Sequence, residues 1–264
     1  MKIGFIQTSP VLGQTDKNLA RIDELICQTE GADLLVLPEL CHSGYRFESR
    51  QQAWELAETV SDSRFLRLIH TICKERNLHV VSGFNERDGD KLYNTAVLVG
   101  PNGLVGKYRK MHLYLNEKDI FEPGNLGLPI YDIGSCRIGM LICFDWRFPE
   151  VWRILALKGA DIICHPSNLV TPGLCQKTLP AHAVCNLVYV VTANRIGTER
   201  DLTFTGLSTI VDPKGNVLLQ ASADHEEVGL VDIDPTAARN KQTTPRNHVF
   251  NDRRPGDYGE LLDL

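Results

Sequence analysis

The sequence predicts one α/β domain in which mixed sheets are covered by helices and two sheets can face each other. Strand, helix and buried strand alternate twice in residues 2–83, and two later segments have the pattern of antiparallel hairpins. No repeat and no low-complexity linker divides the 264 residues, so we expect a single domain over residues 1–264. The polar segment from about Asn247 onwards is expected to form a C-terminal tail.

The first part of the chain contains two α/β units. Residues 2–7 are typical of a short strand, and residues 16–30 predict a helix because their apolar side chains recur at helical spacing. The continuous apolar run at 33–37 predicts a strand that is covered on both faces. A second helix is predicted over 64–76, and it leads into a strand at 79–83.

Two hairpins enclose further alternating elements. The turn sequences PNG at 101–103 and PKG at 213–215 each join two β-rich runs, which is typical of an antiparallel hairpin. Between the hairpins the pattern predicts strands at 137–142, 161–164 and 187–193 and helices at 150–158 and 179–186. This order favours mixed sheets with helices outside them.

The composition is that of an ordinary globular chain, with 43% hydrophobic and 23% charged residues. The net charge is −5 and the basic residues are scattered except for Lys107, Arg109 and Lys110, so nucleic acid is not an expected partner. No apolar run approaches the roughly 20 residues that span a bilayer, so no membrane partner is expected. The apolar stretch in the opening segment is too short for a signal peptide, so we expect a cytoplasmic protein.

The eight cysteines are expected to be thiols, because they are spread over a long chain without a recognisable export signal. No pair has C-x-x-C spacing, and the eight histidines form neither an H-E-x-x-H motif nor a cluster with cysteine, so no metal is expected. The common nucleotide-binding glycine motifs are also missing from the sequence. The sequence therefore implies no cofactor.

Three polar residues stand out by their position. Glu39 comes after the apolar run at 33–37, and Cys143 directly follows another apolar run. Each would lie at the carboxyl end of a strand, where α/β sheets commonly place their sites. Lys110 belongs to the basic cluster. Each has a plainer interpretation, which is a helix cap or solvated acid for Glu39, a solvated basic patch for Lys110 and a small core residue for Cys143.

Three segments resemble the signatures of the nitrilase superfamily, the carbon–nitrogen hydrolases: PELCHSGY around Glu39, KYRKMHLYLNEKDIFEPG around Lys110 and Glu117, and ICFDWRFPE around Cys143. The order Glu, Lys, Cys and the spacings of about 70 and about 30 residues also fit. The opening strand, the hairpin YNTAVLVGPNG, the HPSN loop and the strand VVTANRIG match as well. The resemblance therefore covers nearly the whole chain.

The resemblance implies a four-layer α-β-β-α sandwich of the carbon–nitrogen hydrolase type. It also implies a homodimer or higher homo-oligomer that extends the sandwich, with the C-terminal tail lying on the partner subunit. No cofactor and no metal are implied.

The resemblance further implies roles for the site residues. Cys143 would be the nucleophile, favoured as a thiolate by the nearby Lys110 ammonium, and Glu39 would carry the proton. Lys110 and the backbone N–H of Phe144 would bind the oxyanion. Glu117 is expected to hold the lysine and to position substrate or water, and its alternative is a surface acid paired with a neighbouring lysine.

The expected activity is hydrolysis of a small carboxamide to carboxylic acid and ammonia through a cysteine thioester. The alternatives within the family are a nitrilase acting on small aliphatic nitriles or dinitriles and an N-carbamoyl amine amidohydrolase. The pair Phe144-Asp145 resembles the amidase and carbamoylase branches, whereas nitrilases commonly carry tryptophan and glutamate there. A further alternative from another class is an inactive homologue that serves as a binding protein.

Four residues near these segments have open interpretations. Asp145 and Arg147 are equally compatible with a structural ion pair and with substrate contact. His182 and Cys185 stand where related chains carry an arginine and a glutamate one helical turn apart. For His182, a packing histidine is favoured over a catalytic base.

Overall fold

The computed structural model describes residues 1–262. The strands, in chain order, are β1 (Lys2–Gln7), β2 (Leu34–Val36), β3 (His79–Asp88), β4 (Lys91–Gly100), β5 (Gly103–Arg109), β6 (Ile130–Asp132), β7 (Arg137–Met140), β8 (Ile162–Ser167), β9 (Tyr189–Asn194), β10 (Thr198–Glu199), β11 (Leu202–Thr203), β12 (Thr209–Val211), β13 (Val217–Gln220), β14 (Glu227–Asp232), β15 (Gln242–Thr244) and β16 (Asn247–His248). The helices are α1 (Thr15–Cys27), α2 (Arg50–Glu55), α3 (Arg64–Arg76), α4 (Glu117–Ile120), α5 (Pro149–Leu157) and α6 (Leu174–Asn186).

Two six-stranded mixed sheets contain most of the strands. The first has the order β14-β1-β2-β3-β4-β5 and the second the order β13-β12-β9-β8-β7-β6. In the first sheet β1, β2 and β3 are parallel, and in the second β7, β8 and β9 are parallel. The remaining pairings in both sheets are antiparallel, including the two hairpins that the turn sequences predict. The prediction of mixed sheets is confirmed.

The two sheets face each other and carry helices on their outer faces. Leu34 and Val36 of β2 share one apolar core with Ile138 and Val190 of the second sheet. Leu35 points to the other face of β2, as the alternation of a strand requires, and lies in the cluster with α1 and α3. Helices α5 and α6 pack against the second sheet. The four-layer α-β-β-α architecture is confirmed.

Helix α3 illustrates how local sequence fixes the elements. The Ser63 side chain accepts a hydrogen bond from the Leu66 backbone N–H at 2.8 Å, which caps the first turn. Asn77 ends the helix in the left-handed conformation at φ 53°, which asparagine tolerates better than most residues. Phe65 and Ile69 are fully buried against the first sheet. The helix has the bounds that its periodicity predicts.

Two helix boundaries differ from the prediction by three residues or more. Helix α1 ends at Cys27 rather than at residue 30, and the Thr29 hydroxyl donates to the Ile26 carbonyl at 2.7 Å just after the end. Helix α6 begins at Leu174, five residues before the predicted start. Pro180 lies inside α6, and a proline interrupts the pattern by which a helix is recognised in a sequence.

The C-terminal segment is largely exposed. β16 pairs with β15, and the chain then continues through short 3-10 turns as far as Leu262. The ring of Phe250 lies 5.0 Å from the Lys241 ammonium and 5.3 Å from the Arg153 guanidinium. A tail that lies on a partner subunit stays a prediction, and residues 263 and 264 of that predicted tail lie outside the described residues. Within residues 1–262, no helix combines the length and the apolarity that crossing a membrane requires.

We predict that Gly83→Ala destabilises the fold close to Glu39. A Cβ at Gly83 would lie 2.3 Å from the Cα of Glu39 and 2.3 Å from the backbone N of Leu40, so the two backbones would have to separate. Overpacking of this kind costs about 1–3 kcal/mol of the free energy of unfolding. Urea denaturation measures the loss, with Gly256→Ala as the control because no atom lies within 4 Å of a Cβ there. Equal midpoints for the two variants would contradict the prediction.

Candidate active site

Three strand ends bring the predicted site residues into one buried region. Glu39 follows β2, Lys110 follows β5 and Cys143 follows β7. Their relative exposures are 1%, 1% and 4%, and Glu117 on α4 is 4% exposed. None of the four is a solvated surface group, so the plainer interpretations of Glu39, Lys110 and Glu117 are wrong.

The ammonium of Lys110 lies between two carboxylates. Its Nζ donates to Glu39 Oε1 at 2.7 Å and to Glu117 Oε1 at 2.7 Å. Burial lowers the pKa of Lys110, but attraction to Glu117 and Glu39 outweighs burial and raises that pKa above its ordinary value. Burial raises the pKa of Glu117 to about 7, although Lys110 opposes this shift. The lysine is therefore a fixed cation, and Glu117 can change its protonation near neutral pH.

The two oxygens of Glu39 have different surroundings. Oε1 accepts hydrogen bonds from Lys110 Nζ and from Asn94 Nδ2, each at 2.7 Å. Oε2 is buried and has no hydrogen-bond partner within residues 1–262. A buried carboxylate oxygen without a partner is costly in a resting structure, so it is a site where a proton or a reacting group is expected.

Glu117 is held on both of its oxygens. Oε1 accepts from the Tyr45 hydroxyl at 2.7 Å as well as from Lys110. Oε2 accepts from the backbone N–H of Tyr114 at 3.1 Å. All these donors favour the charged form of the carboxylate.

Cys143 lies on a strained turn. Its φ is 42°, in the left-handed region that residues with a side chain seldom adopt. His165 Nε2 lies 2.8 Å from the Cys143 carbonyl oxygen, and burial lowers the pKa of His165 to about 4, so the neutral ring donates this hydrogen bond. Asp145 Oδ2 accepts from the Ile142 N–H at 2.9 Å and from the Tyr108 hydroxyl at 2.8 Å. These contacts hold the turn in its strained conformation.

The thiol of Cys143 is protonated at rest. Burial raises its pKa well above the ordinary value, and the negative charge of Glu39 raises it further. Lys110 lowers this pKa, as expected, but by less. The direction of the Lys110 effect agrees with the expectation that this lysine favours the thiolate, although burial and Glu39 outweigh it at rest. The next residue, Phe144, has a backbone N–H that donates to no backbone acceptor within residues 1–262.

Comparison with known proteins identifies the family. The sequence model of the carbon-nitrogen hydrolases matches residues 2–242. The chain belongs to this family. Like the other members, it is a hydrolase that acts on carbon–nitrogen bonds, and it falls within the nitrilase superfamily.

Three known proteins are similar to this carbon–nitrogen hydrolase over nearly its whole length. A nitrilase from Pyrococcus abyssi is 45% identical over 260 residues, which are 98% of this chain and 99% of that one. A carbon-nitrogen hydrolase from Helicobacter pylori G27 is 25% identical and has a TM-score of 0.90 over 100% of this chain and 98% of that one. An amidase from Nesterenkonia sp. AN1 is 27% identical, with a TM-score of 0.80 over 98% and 95% of the chains. That last structure is a glutamate-to-glutamine mutant with the acetamide moiety of fluoroacetamide added covalently at the active site cysteine.

A cavity of about 280 Å³ adjoins the hydrolase's cysteine. Its lining includes Cys143, Phe144, Arg147 and Asn168. Asn168 is only 2% exposed, and neither its Oδ1 nor its Nδ2 has a hydrogen-bond partner within residues 1–262. A buried amide of this kind is expected to hydrogen-bond a ligand. Across the described chain, no group of three or more His, Cys, Asp or Glu side chains is arranged to hold a metal ion.

The structure also decides the open interpretations. Asp145 does not pair with Arg147, because its Oδ1 lies 2.7 Å from His112 Nδ1. Arg147 is exposed, lines the cavity and lies with its guanidinium 5.3 Å from the ring centroid of Trp146. The ring of His182 stacks on the ring of Trp152 in α5, with 4.5 Å between centroids. The packing interpretation of His182 is confirmed.

The basic patch predicted around Lys110 does not exist in that form. Arg109 is buried, and its guanidinium donates to Glu86 and, at 2.7 Å, to Asp88. Lys107 also pairs with Glu86. These side chains form a separate network along the first sheet.

Four residues of the site were missed at the level of sequence. They contact the predicted residues or line the cavity, and they are Tyr45, Asn94, His165 and Asn168. All four lie inside the segments that match the superfamily, so membership of these segments is the sequence feature that could have indicated them. Their individual partners depend on contacts between distant parts of the chain.

We predict that Lys110→Met lowers the melting temperature at pH 7 by about 10 °C. Loss of the ammonium that Glu39 and Glu117 share costs about 3–5 kcal/mol of the free energy of unfolding. The folded-state pKa of Glu117 is already raised above its unfolded value, and loss of the cation raises it further. The loss of unfolding free energy caused by Lys110→Met therefore increases as the pH rises. It becomes smaller as the pH falls, because the carboxylate of Glu117 then takes up a proton.

Differential scanning calorimetry at pH 5.5 and pH 8 measures this difference. Lys118→Met is the control, because Lys118 is exposed on α4. Glu39→Gln should melt between the control and Lys110→Met, because it keeps the Lys110–Glu117 pair. A Lys110→Met protein that melts like the control at both pH values would contradict the assignment of Lys110 as the central cation.

Proposed function

We propose that the protein hydrolyses a small carboxamide to a carboxylic acid and ammonia through a thioester on Cys143. The observation that carries the proposal is Glu39, which has one anchored oxygen and one buried oxygen without a partner, close to a protonated thiol. A carboxylate arranged in this way can accept a proton without moving. General base and general acid are thus combined in one residue.

Acylation begins with transfer of the thiol proton to Glu39 as the sulfur of Cys143 attacks the amide carbon. The new C–S bond gives a tetrahedral intermediate whose oxygen carries the negative charge. Lys110 and the N–H of Phe144 face this oxygen. Protonated Glu39 then gives its proton to the nitrogen, the C–N bond breaks, and ammonia leaves.

Deacylation repeats the same steps with water. Glu39, again a carboxylate, takes a proton from water as the hydroxide attacks the thioester carbon. The second tetrahedral intermediate meets the same two donors. When the C–S bond breaks, Cys143 regains its proton from Glu39 and the carboxylic acid is released.

A charged donor suits the oxyanion in a site of this depth. Removing one donor of this kind typically costs about 2.7–4 kcal/mol of transition-state stabilisation. Lys110 can supply its charge without reorganisation, because Glu39 and Glu117 already hold the ammonium in place. Glu117 would therefore act by fixing the lysine and positioning substrate or water.

The cavity supports a small substrate. At about 280 Å³ it is slightly smaller than the roughly 300–1,000 Å³ typical of ligand pockets. The free amide of Asn168 gives it one donor and one acceptor position. A short acyl group with a polar substituent fits this lining better than a long aliphatic chain.

A nitrile is the second candidate substrate. The relative from Pyrococcus abyssi that shares 45% identity is named a nitrilase, and the same thiol can add to a C≡N carbon. The resulting thioimidate takes up one water and loses ammonia to give the same thioester, so the two routes differ in the steps before the thioester and share its hydrolysis by water. An N-carbamoyl amine would use the same residues as an amide. A purely binding role has less support, because all four functional groups lie in one cluster.

We also propose a homodimer or higher homo-oligomer in the cytoplasm. Ile154, Leu157 and Val184 on α5 and α6 are 40%, 39% and 45% exposed, and these apolar side chains on the outer layer support an interface there. All eight cysteines are free, which supports a reducing compartment.

Ammonia release from a panel of carboxamides, N-carbamoyl amines and nitriles tests the proposed function. We expect short carboxamides to be hydrolysed and Cys143→Ala to lose all but a trace of activity with unchanged folding. Cys175→Ala is the matched control, because Cys175 is also a buried thiol that lines the cavity, and it should keep most of the activity.

Three outcomes would contradict the proposal in different ways. Activity on nitriles alone would favour the second candidate. No activity on any member of the panel would favour a binding protein. More than a few per cent of wild-type turnover in Cys143→Ala would exclude that residue as the nucleophile.

A further inference from the structure

Tyr45 connects the segment around Glu39 to the second glutamate of the site. Its hydroxyl donates at 2.7 Å to Glu117 Oε1, the same oxygen that accepts from Lys110. The side chain is only 8% exposed. The roles assigned to the site so far do not use this hydroxyl.

Tyr45 is itself rigidly held. Its backbone N–H donates to Glu199 Oε2 at 2.9 Å, and Glu199 Oε1 accepts from Arg195 at 2.6 Å. The ring packs edge to face against Phe204, with 5.9 Å between centroids. A phenol fixed at its backbone and its ring can aim its hydroxyl at one place, so the short contact with Glu117 is built into the fold.

The charged groups that face Glu117 come from several segments. Lys110 attracts the carboxylate, while Glu39 repels its charge. A second cavity, of about 230 Å³, has Tyr45, Glu117, Arg46 and Asp201 in its lining. Arg46 and Asp201 pair at 2.8 Å and largely neutralise each other. Tyr45 is therefore the uncharged donor that adds to Lys110 at the Oε1 atom.

We propose that Tyr45 is a positioning residue that keeps Glu117 charged and thereby holds the Lys110 ammonium in place for the oxyanion. If Glu117 took up a proton, one of its oxygens would become a donor and its hold on Lys110 would weaken. The lysine would then be drawn towards Glu39 alone. The hydroxyl of Tyr45 opposes this change, because it hydrogen-bonds to the charged form.

The effect is largest near neutral pH. The pKa of Glu117 is about 7, so one additional donor decides how much of the carboxylate is charged there. A hydrogen bond to a charged group is strong enough to move such a pKa by about one unit. Loss of the hydroxyl raises the pKa of Glu117, and activity that needs the charged form is then lost at a higher pH.

The test is Tyr45→Phe, which removes the hydroxyl and keeps the ring. We expect the acid limb of the kcat profile to move to higher pH by about one unit, with kcat at pH 7 about fivefold lower and the deficit closing as the pH is raised. KM should stay within about twofold, because Tyr45 is not among the residues that line the cavity at Cys143. Tyr189→Phe is the control, because Tyr189 is also buried and its hydroxyl donates at 3.1 Å to the carbonyl of Asp234 instead.

A double mutant tests whether Tyr45 acts through Glu117. In a Glu117→Gln background, Tyr45→Phe should change the remaining activity little and leave its pH profile in place, because the titrating group is gone. A loss from Tyr45→Phe that is equal at all pH values, or equal in both backgrounds, would overturn the inference. So would an acid limb that does not move.

The inference rests on the proposed function, and the two fail in different ways. If the wild-type protein hydrolyses no amide or nitrile, the proposed function fails. If the wild-type protein is active and the acid limb of Tyr45→Phe matches that of Tyr189→Phe, only the role of Tyr45 fails.

Discussion

The ammonium of Lys110, buried between the carboxylates of Glu39 and Glu117, is the interaction on which the site depends. Removing a charge from water into the interior costs several kcal/mol even after relaxation, so a lysine that is 1% exposed requires both carboxylates. Two carboxylates and one ammonium leave one net negative charge in the cluster. A second negative charge in the cluster is therefore unfavourable, and the thiol of Cys143 stays protonated until a base accepts its proton.

The fold supplies the geometry that the charges need. Strand β2 of the first sheet ends just before Glu39, and strand β7 of the second sheet ends just before Cys143. The hairpin β4–β5 ends at Arg109, so Lys110 lies in the same region. Close backbone approach depends on glycine, since a Cβ at Gly83 or Gly124 would lie within 2.3 Å of backbone beside Glu39 or Lys110. These constraints explain why loops without regular structure can be held to hydrogen-bond distances.

The sequence predicts the elements and the four functional residues but not the contacts between them. Alternation and helical spacing are local patterns, so α3 and the two hairpins follow from them directly. One of the two partners of Lys110, Glu39, is 71 residues away in the sequence, and pairings of that kind depend on how strands are ordered in the sheets. For the same reason Arg109 looks like a surface charge in the sequence, although it is buried and donates a hydrogen bond to Glu86 on β3. The protonation of Cys143 at rest likewise depends on distant contacts, because burial and Glu39 outweigh Lys110 there.

The most direct test of the account is the mass of the protein during a single turnover. Enzyme in excess over a short carboxamide, quenched in acid, should contain a fraction of Cys143 that is heavier by the acyl group, and the fraction should be the same in the presence of a metal chelator. Cys143→Ala should acquire no such mass. Ammonia release that stops in chelator and proceeds without any adduct on Cys143 would contradict a covalent mechanism and require a metal-activated water instead.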